Sequence, residues 1–474
     1  MSQRASDTEA LARLGYAQAL LRGMGGFSNF ALSLSVISVL TGAVTLYGHG
    51  LSWGGPLVMT LGWPLVALLT LPLVLSLAEL ASAFPTAGAL YHWSAILGGR
   101  GAGYFAAWLN TLGQFAITAA IDYGLAEFLV PMLGLPATRE VTLALYGALL
   151  LSHGALNHVG VRAVHVLGTV SAWYHLVGVL VIVGGLAWAA PLQPLGFLGT
   201  AKNHHEGSLF ADFLFGLLQA AWTFTGYDAS AHATEETHDA ARNAPRGMIF
   251  SVVVSAVAGW ALLLLVTLAI PDLEAAVAAP NPFIFILTTS AGTLGTALVW
   301  LCMGAMWFCG LASVTSNSRM LFAFARDGGL PFSSTLARVS PRFASPHLAV
   351  WVSVAMAFGL AVWSGAYAVM TALSTIALYL SYAIPIGCGL WARRRGAWTR
   401  RGPFNLGRWS TAVNVVALAW VLATSVMFVL PPNELAGQTL AGVVLALVLA
   451  WRLAVAKRFA GPRVSLQTLE QSSA

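Results

Sequence analysis

"AAWTFTGYDASAHATEETHD" (residues 220–239) opens like a membrane helix, then places Gly226, Asp228, His232, Glu235 and Glu236 within eleven residues. Glycine weakens a helix. An ionisable side chain within an apolar span is costly, and it marks function by default. The stretch therefore reads as a helix interrupted at Thr225–Gly226, with an acid at the interruption.

The surrounding chain is oily. Of its 474 residues, 58% are hydrophobic and 8% charged, against about 25% charged in an average soluble domain. So few charges cannot cover a water-soluble surface. Apolar runs of about twenty residues, each able to cross a hydrocarbon core about 30 Å thick, recur from end to end. Twelve spans are expected, near 27–50, 56–80, 102–131, 141–157, 164–189, 209–236, 248–270, 291–323, 347–366, 368–391, 410–430 and 436–456. The expected class is an all-α integral membrane protein of twelve transmembrane helices. The segment 271–282, bounded by prolines, has room for a short surface helix.

The basic residues set the topology. With a cytoplasmic N-terminus, the inner side carries Arg100, Arg162, Arg242, Arg246, Arg319, Arg326, Arg338, Arg342 and the cluster Arg393, Arg394, Arg395, Arg400, Arg401 and Arg408. The outer side carries Arg139 and Lys202. That asymmetry puts both termini in the cytoplasm of a cell (plasma or inner) membrane. Residues 1–25 show no short apolar core before a cleavage site and read as a cytoplasmic tail. The net charge of +6 is thus a topology signal and gives no reason to expect a nucleic-acid partner. Cys302, Cys309 and Cys388 lie in apolar spans, which is neither a disulfide framework nor a metal spacing. His204 and His205 are adjacent without further ligands, so no metal or cofactor is expected.

A second interruption is expected in span 1. "SVISVLTGAVTLYGHG" (35–50) holds Thr41–Gly42 as "QAAWTFTGYDASAH" (219–232) holds Thr225–Gly226. Five spans separate them. If spans 1–5 and 6–10 are repeats, the odd number inserts the second copy upside down. Paired breaks in inverted repeats are the sequence pointer to a secondary transporter's site. Unwound backbone exposes polar groups that hydrocarbon cannot satisfy. Half-helix N-termini attract carboxylates and free carbonyls attract an ammonium. The expected lining is Thr41, Gly42, Ala43 and Val44 from span 1, Trp222, Phe224, Thr225, Gly226, Tyr227 and Asp228 from span 6, and Gln114, roughly 18 Å deep in span 3. Asp228 is read as pairing with a substrate amine, carrying a proton, or capping the helix after the break. Asp122 and Glu127, further along span 3, are read as outer-vestibule residues. Glu79, Glu235 and Glu236 are read as inner-gate anchors beside Arg242 and Arg246.

"ELASAFPTAGALYHWSA" (79–95), "WTFTGYDASAHATEET" (222–237), "RNAPRGM" (242–248) and "SNSRMLFAFARDGGLP" (316–331) resemble the amino acid–polyamine–organocation superfamily. The branch they are most similar to carries amino acids, choline and 4-aminobutyrate. The resemblance covers about residues 20–460. It implies a LeuT-like five-plus-five inverted repeat, with repeats at 26–191 and 192–395, two further helices within 396–460 and a tail at 461–474. It implies a pocket between broken spans 1 and 6, lined also by spans 3, 8 and 10. Relatives place an aromatic gate where Trp222 stands. They have a Gly-x-Gly break in span 1, where this chain has "LTGAVT" (40–45). Some carry a lysine where His175 stands, at the position of sodium in sodium-driven cousins. That implies a titratable coupling role for His175. Ser313, Thr315 and Ser316 of span 8 are the corresponding ion-site candidates.

These readings converge on a secondary transporter that imports a small amino acid or amine by alternating access. Proton coupling through His175, Asp228 or both is favoured over sodium. Antiport of substrate against product, and polyamine transport, stay open. An intramembrane enzyme would need a nucleophile–base pair or a motif such as HExxH, and neither is present. A channel would need a repeated selectivity loop, and a sensor would carry a long soluble tail.

Overall fold

The structure is a computed structural model describing residues 3–159, 161–202, 208–364, 367–431, 433–463 and 466. Among these residues there is no strand, only an isolated parallel bridge between Met24 and Thr237. Ten helices are long and apolar enough to cross a membrane. Two expected spans fall outside that set for physical reasons. The span at 141–157 forms a helix, Arg139–Val159, whose buried face carries Thr142, His153 and Asn157. The span at 209–236 is fragmented into Leu209–Gly216, Leu218–Thr223 and Ala229–His232.

Nine helices position the site. They are α1 (Gly26–Ile37), α2 (Val39–Thr45), α3 (Arg100–Met132), α4 (Arg139–Val159), α5 (Val161–Ala189), α6 (Leu218–Thr223), α7 (Ala229–His232), α8 (Pro282–Arg326) and α9 (Tyr367–Arg394). α3 and α9 pack extensively on each other and are buried along most of their length. α8 lies against α3, α4 and α5. It begins nine residues earlier than expected and kinks at Gly292, where φ is +55°. The expected surface helix is Leu273–Ala278, capped by Asp272, which accepts from the Ala275 N–H at 2.9 Å. Leu180, Trp188, Leu422 and Leu453 are exposed on the outside of the bundle, as a lipid-facing surface requires. His204 and His205 lie outside the described residues.

Candidate functional site

The span 6 break falls where expected. α6 ends at Thr223 and α7 begins at Ala229. Gly226 has φ +84°, a conformation side chains resist, and an added Cβ would stand 2.3 Å from Val36 Cγ1. Thr225 Oγ1 donates to the Trp222 carbonyl at 2.6 Å and so satisfies the end of α6.

The span 1 break is three residues earlier than Thr41–Gly42. It is at Ser38, φ +31°, between α1 and α2, and Thr41 and Gly42 are inside α2. Gly42 serves close approach instead, since a Cβ there would stand 2.3 Å from Thr223 Oγ1. The two breaks meet face to face. Ser33 Oγ donates to the Tyr227 carbonyl at 2.6 Å, and Ser230 N–H donates to Ser33 Oγ at 2.9 Å. Asn29 Nδ2 donates to the Ser230 carbonyl, and Ser230 Oγ to the Asn29 carbonyl, both at 2.9 Å. α1 and α7 are thus laced into one unit.

Asp228 is fully buried and makes no capping bond. Tyr382 Oη donates to Oδ1 at 2.9 Å, and Asn110 Nδ2 donates to Oδ2 at 3.2 Å. His232 Nε2 is 3.2 Å from the same Oδ2, while its Nδ1 faces the Ala87 carbonyl at 3.1 Å. A carbonyl only accepts, so Nδ1 carries a hydrogen. Nε2 is the ring nitrogen turned to the carboxylate.

Beside the breaks lies a small cavity of about 10 Å³, room for about one water. Thr41, Gly42, Trp222 and Cys309 are among its walls. Trp222 Nε1 donates to Ser374 Oγ at 2.9 Å, and its ring meets Tyr367 edge-on. Beyond Tyr367 a vestibule of about 390 Å³ opens, lined by Val44, Glu127 and Thr371 among others. Trp222 lines the cavity and touches Tyr367, which lines the vestibule. Val44 lines the vestibule, while the Ala43 carbonyl accepts from Gln219 Nε2 at 2.8 Å. Phe224 turns away from the cavity onto Trp63, ring centroids 4.7 Å apart. Tyr227 packs on Tyr382. Gln114 is buried with Oε1 unpartnered.

The coupling candidates separate. His175 Nδ1 is 2.7 Å from the Ser171 carbonyl and Nε2 is 2.7 Å from Ser38 Oγ, so this ring is bonded to the span 1 break itself. Ser313 and Thr118 share a hydroxyl bond of 2.7 Å, and Thr315 Oγ1 donates to Asn157 Oδ1 at 2.8 Å. The span 8 candidates therefore point to α3 and α4, and Ser316 Oγ has no partner. Asp122 is not at an outer vestibule. It is fully buried, with Oδ2 3.0 Å from His153 Nδ1. α3 has 33 residues and is about 50 Å long, so distance along it overstates depth.

The opposite end is sealed. Gly23 and Met24 N–H donate to the Glu236 carbonyl, and Arg22 Nη1 to the Thr237 carbonyl. Glu235 binds Arg326 through both oxygens at 2.8 and 2.9 Å, and Glu236 binds Arg319 at 2.7 Å and His165 at 2.8 Å. Glu79 pairs with Arg393 at 2.9 Å. These partners replace the expected Arg242 and Arg246. Asp239, φ +46°, turns the chain outward, and Arg242 pairs with it on the surface. Tyr16, Tyr91 and His92 converge on Asp327 Oδ2 at 2.7, 3.0 and 3.0 Å. Burial alone would raise the Asp327 carboxyl. The His92 and Tyr16 bonds and the His92 and Arg326 charges outweigh it and hold the carboxyl below its ordinary range.

Sequence reasoning did not assign roles to Asn110, His232 or Tyr382. The four-residue spacing of Asp228 and His232 on one helix face was the available signal, whereas Tyr382 lies 154 residues away.

Residues 24–451 match the family model described as amino acid permease. An amino-acid permease BAT1 homolog of Oryza sativa subsp. japonica is 36% identical, covering 96% of this chain and 95% of that protein. The amino-acid permease BAT1 of Arabidopsis thaliana is 36% identical, covering 95% of each. The GABA-specific permease of Saccharomyces cerevisiae is 27% identical, covering 90% of this chain and 79% of its own. The family is the one the quoted motifs resemble, and the chain belongs to the amino acid permease family of multi-pass membrane transporters.

Proposed function

We propose that this chain imports a small amino acid or amine by alternating access, driven by protons. One observation carries the reading: two helix breaks meet at a buried carboxylate, sealed on one side and approached by a vestibule on the other. Tyr367 lines the vestibule and Trp222 packs behind it, so that the Trp222 ring could cover a bound ammonium once Tyr367 moves. Closing the vestibule and freeing the α1–α7 unit from the sealed end would pass the substrate across.

The arginine distribution supports a cytoplasmic sealed end, cytoplasmic termini and a cell-membrane location. Fragmented span 6 and polar α4, added to the ten apolar helices, support twelve spans in the five-plus-five arrangement. Asp228, beside His232, and His175, bonded to the Ser38 break, are the groups proposed to couple protons. Thr41, Gly42 and Trp222 at the cavity and Val44 at the vestibule are the proposed lining, with Ala43, Gln114, Thr225, Gly226 and Tyr227 supporting them, while Phe224 faces Trp63 and is not part of it. Ser313, Thr315 and Ser316 bond away from the breaks or not at all, which favours protons over sodium. The GABA-specific relative makes 4-aminobutyrate a first substrate to try, beside neutral amino acids and choline.

The test is counterflow by the purified chain in liposomes. Trans-loaded 4-aminobutyrate or a neutral amino acid is expected to accelerate uptake of its labelled form. Folded protein showing no counterflow with any amino acid, 4-aminobutyrate, choline or polyamine would overturn the reading. Exchange without net uptake would turn it to antiport.

A further inference from the structure

A second aspartate–histidine pair is buried outside the breaks. Asp122 of α3 and His153 of α4 are fully buried and bonded at 3.0 Å from Nδ1 to Oδ2. They press on α8 at Gly310, where a Cβ would stand 2.0 Å from Asp122 Oδ1 and 2.6 Å from His153 Cε1. Gly310 lies about 24 Å from the Arg326 end of α8, close to the middle of its straight part. Yet Asp122 Oδ1 and His153 Nε2 have no hydrogen-bond partner. Buried polar groups are ordinarily satisfied. Among the described residues, neither member is salt-bridged to a lysine or arginine.

The pair is also connected. Asn110, Gln114, Thr118 and Asp122 recur every fourth residue along α3, and all are buried. Each step is about 6 Å. Asn110 bonds Asp228, Gln114 Oε1 is unpartnered, Thr118 shares its hydroxyl bond with Ser313, and Asp122 ends the stripe. The titratable groups facing Asp122 are Tyr146 of α4 and Cys309 of α8. Tyr123 and Glu127 follow it on α3, and Arg139 acts on Tyr123.

We propose that Asp122–His153 is a second proton-binding site of the transport cycle, exchanging its proton with Asp228–His232 along the polar stripe of α3. The proposal rests on the proton-coupled reading above. In the empty state, neutral His153 donates its Nδ1 hydrogen to the Asp122 carboxylate. One proton adds to the free lone pair at Nε2, giving imidazolium and taking the pair from one negative charge to none. Its loss restores the starting state, and no bond between heavier atoms changes.

Asp122→Asn keeps an acceptor for His153 Nδ1 and removes the carboxylate. His153→Gln keeps a donor and removes the titrating ring. Full-length protein in liposomes with a trapped pH dye would be assayed with 4-aminobutyrate or alanine. Counterflow, which needs no net proton movement, is expected within about threefold of the parent, while substrate-driven proton influx falls at least about tenfold. Proton influx at the parent's rate in either folded variant overturns the proposal. So does parental counterflow with no proton movement. A parent without counterflow sinks the transporter reading instead. The pair is then read alone by infrared difference spectra between about pH 5 and pH 8. Carboxylate and imidazole signals lost in Asp122→Asn support proton binding, and spectra unchanged by the substitution overturn it.

Discussion

Two aspartate–histidine pairs, both without exposure, are built in opposite ways. Asp228–His232 sits where the backbone has come apart. There, Tyr382, Asn110 and the Ala87 carbonyl use every polar atom that the two side chains offer. Asp122–His153 sits between continuous helices, and one oxygen and one nitrogen are left over. Broken backbone brings loose carbonyls and short helices that can turn partners inward. Intact helices present only what their register allows. The first pair is therefore fully partnered, and the second has an open lone pair to receive a proton.

The sharpest way to break the contrast is Gly310→Ala. Its Cβ would fall 2.0 Å from Asp122 Oδ1. The pair must part or α8 must move, and losing a hydrogen bond to a buried carboxylate costs about 1.5–3 kcal/mol. Loss of uptake and a melting temperature lowered by several degrees are expected in detergent. A normal melt with normal uptake would mean that α8 yields easily and the pair is not held against it. Next is Asp228→Asn. The amide can accept from Tyr382 and donate to neutral His232, and its second hydrogen finds the free Oδ1 of Asn110 if that side chain turns over, so the cage keeps its partners while the carboxylate is lost. Uptake is expected to fall at least about tenfold, the scale of losing one charge-assisted bond, with the melt nearly unchanged. Near-normal uptake would remove Asp228 from the pocket's chemistry.

Much of this contrast could be read from sequence, but unevenly. The span 6 break was legible because Gly226 and Asp228 are both out of place in an apolar helix. The span 1 break was placed three residues late because Ser38 takes a left-handed φ without a glycine to announce it. Gly42 marked close packing on Thr223 instead. Counting residues as depth sends Asp122 outward, but a helix of 33 residues must tilt or protrude to fit about 30 Å of hydrocarbon. The four-residue stripe on α3 was visible in principle. Its partners, His153 and Ser313, come from distant spans, and no local pattern names them.

His175 tests whether coupling belongs to the pairs alone. Its Nε2 reaches Ser38 at the break, and its Nδ1 bonds the Ser171 carbonyl. Protonation would turn Nε2 from acceptor to donor and force the Ser38 hydroxyl to rotate. His175→Ala is expected to flatten the pH dependence of uptake, changing rates only a few-fold at a single pH, on the order of one neutral hydrogen bond. An unchanged pH profile would leave proton traffic to the two aspartate–histidine pairs.

The smallest effect is expected at Asp327, a carboxylate at the sealed end that, like Glu236, also meets a histidine. Three donors share its Oδ2, and its folded-state pKa lies below the ordinary carboxylate value of 3.8. The sign follows by linkage. A depressed carboxyl contributes fully above that ordinary value, and the contribution is lost as pH falls through the lower folded value. Between about pH 5 and pH 8, docking of residues 11–24 should therefore not respond to Asp327 titration. The difference in hydrogen-exchange protection of that segment between the parent and Asp327→Asn, corrected for intrinsic rates, should stay constant there and shrink only in stronger acid. Asp327→Asn should lower protection modestly throughout that range. A difference that changes with a midpoint near neutrality would show that Asp327 binds its proton there, and the seal itself would then join the coupling groups.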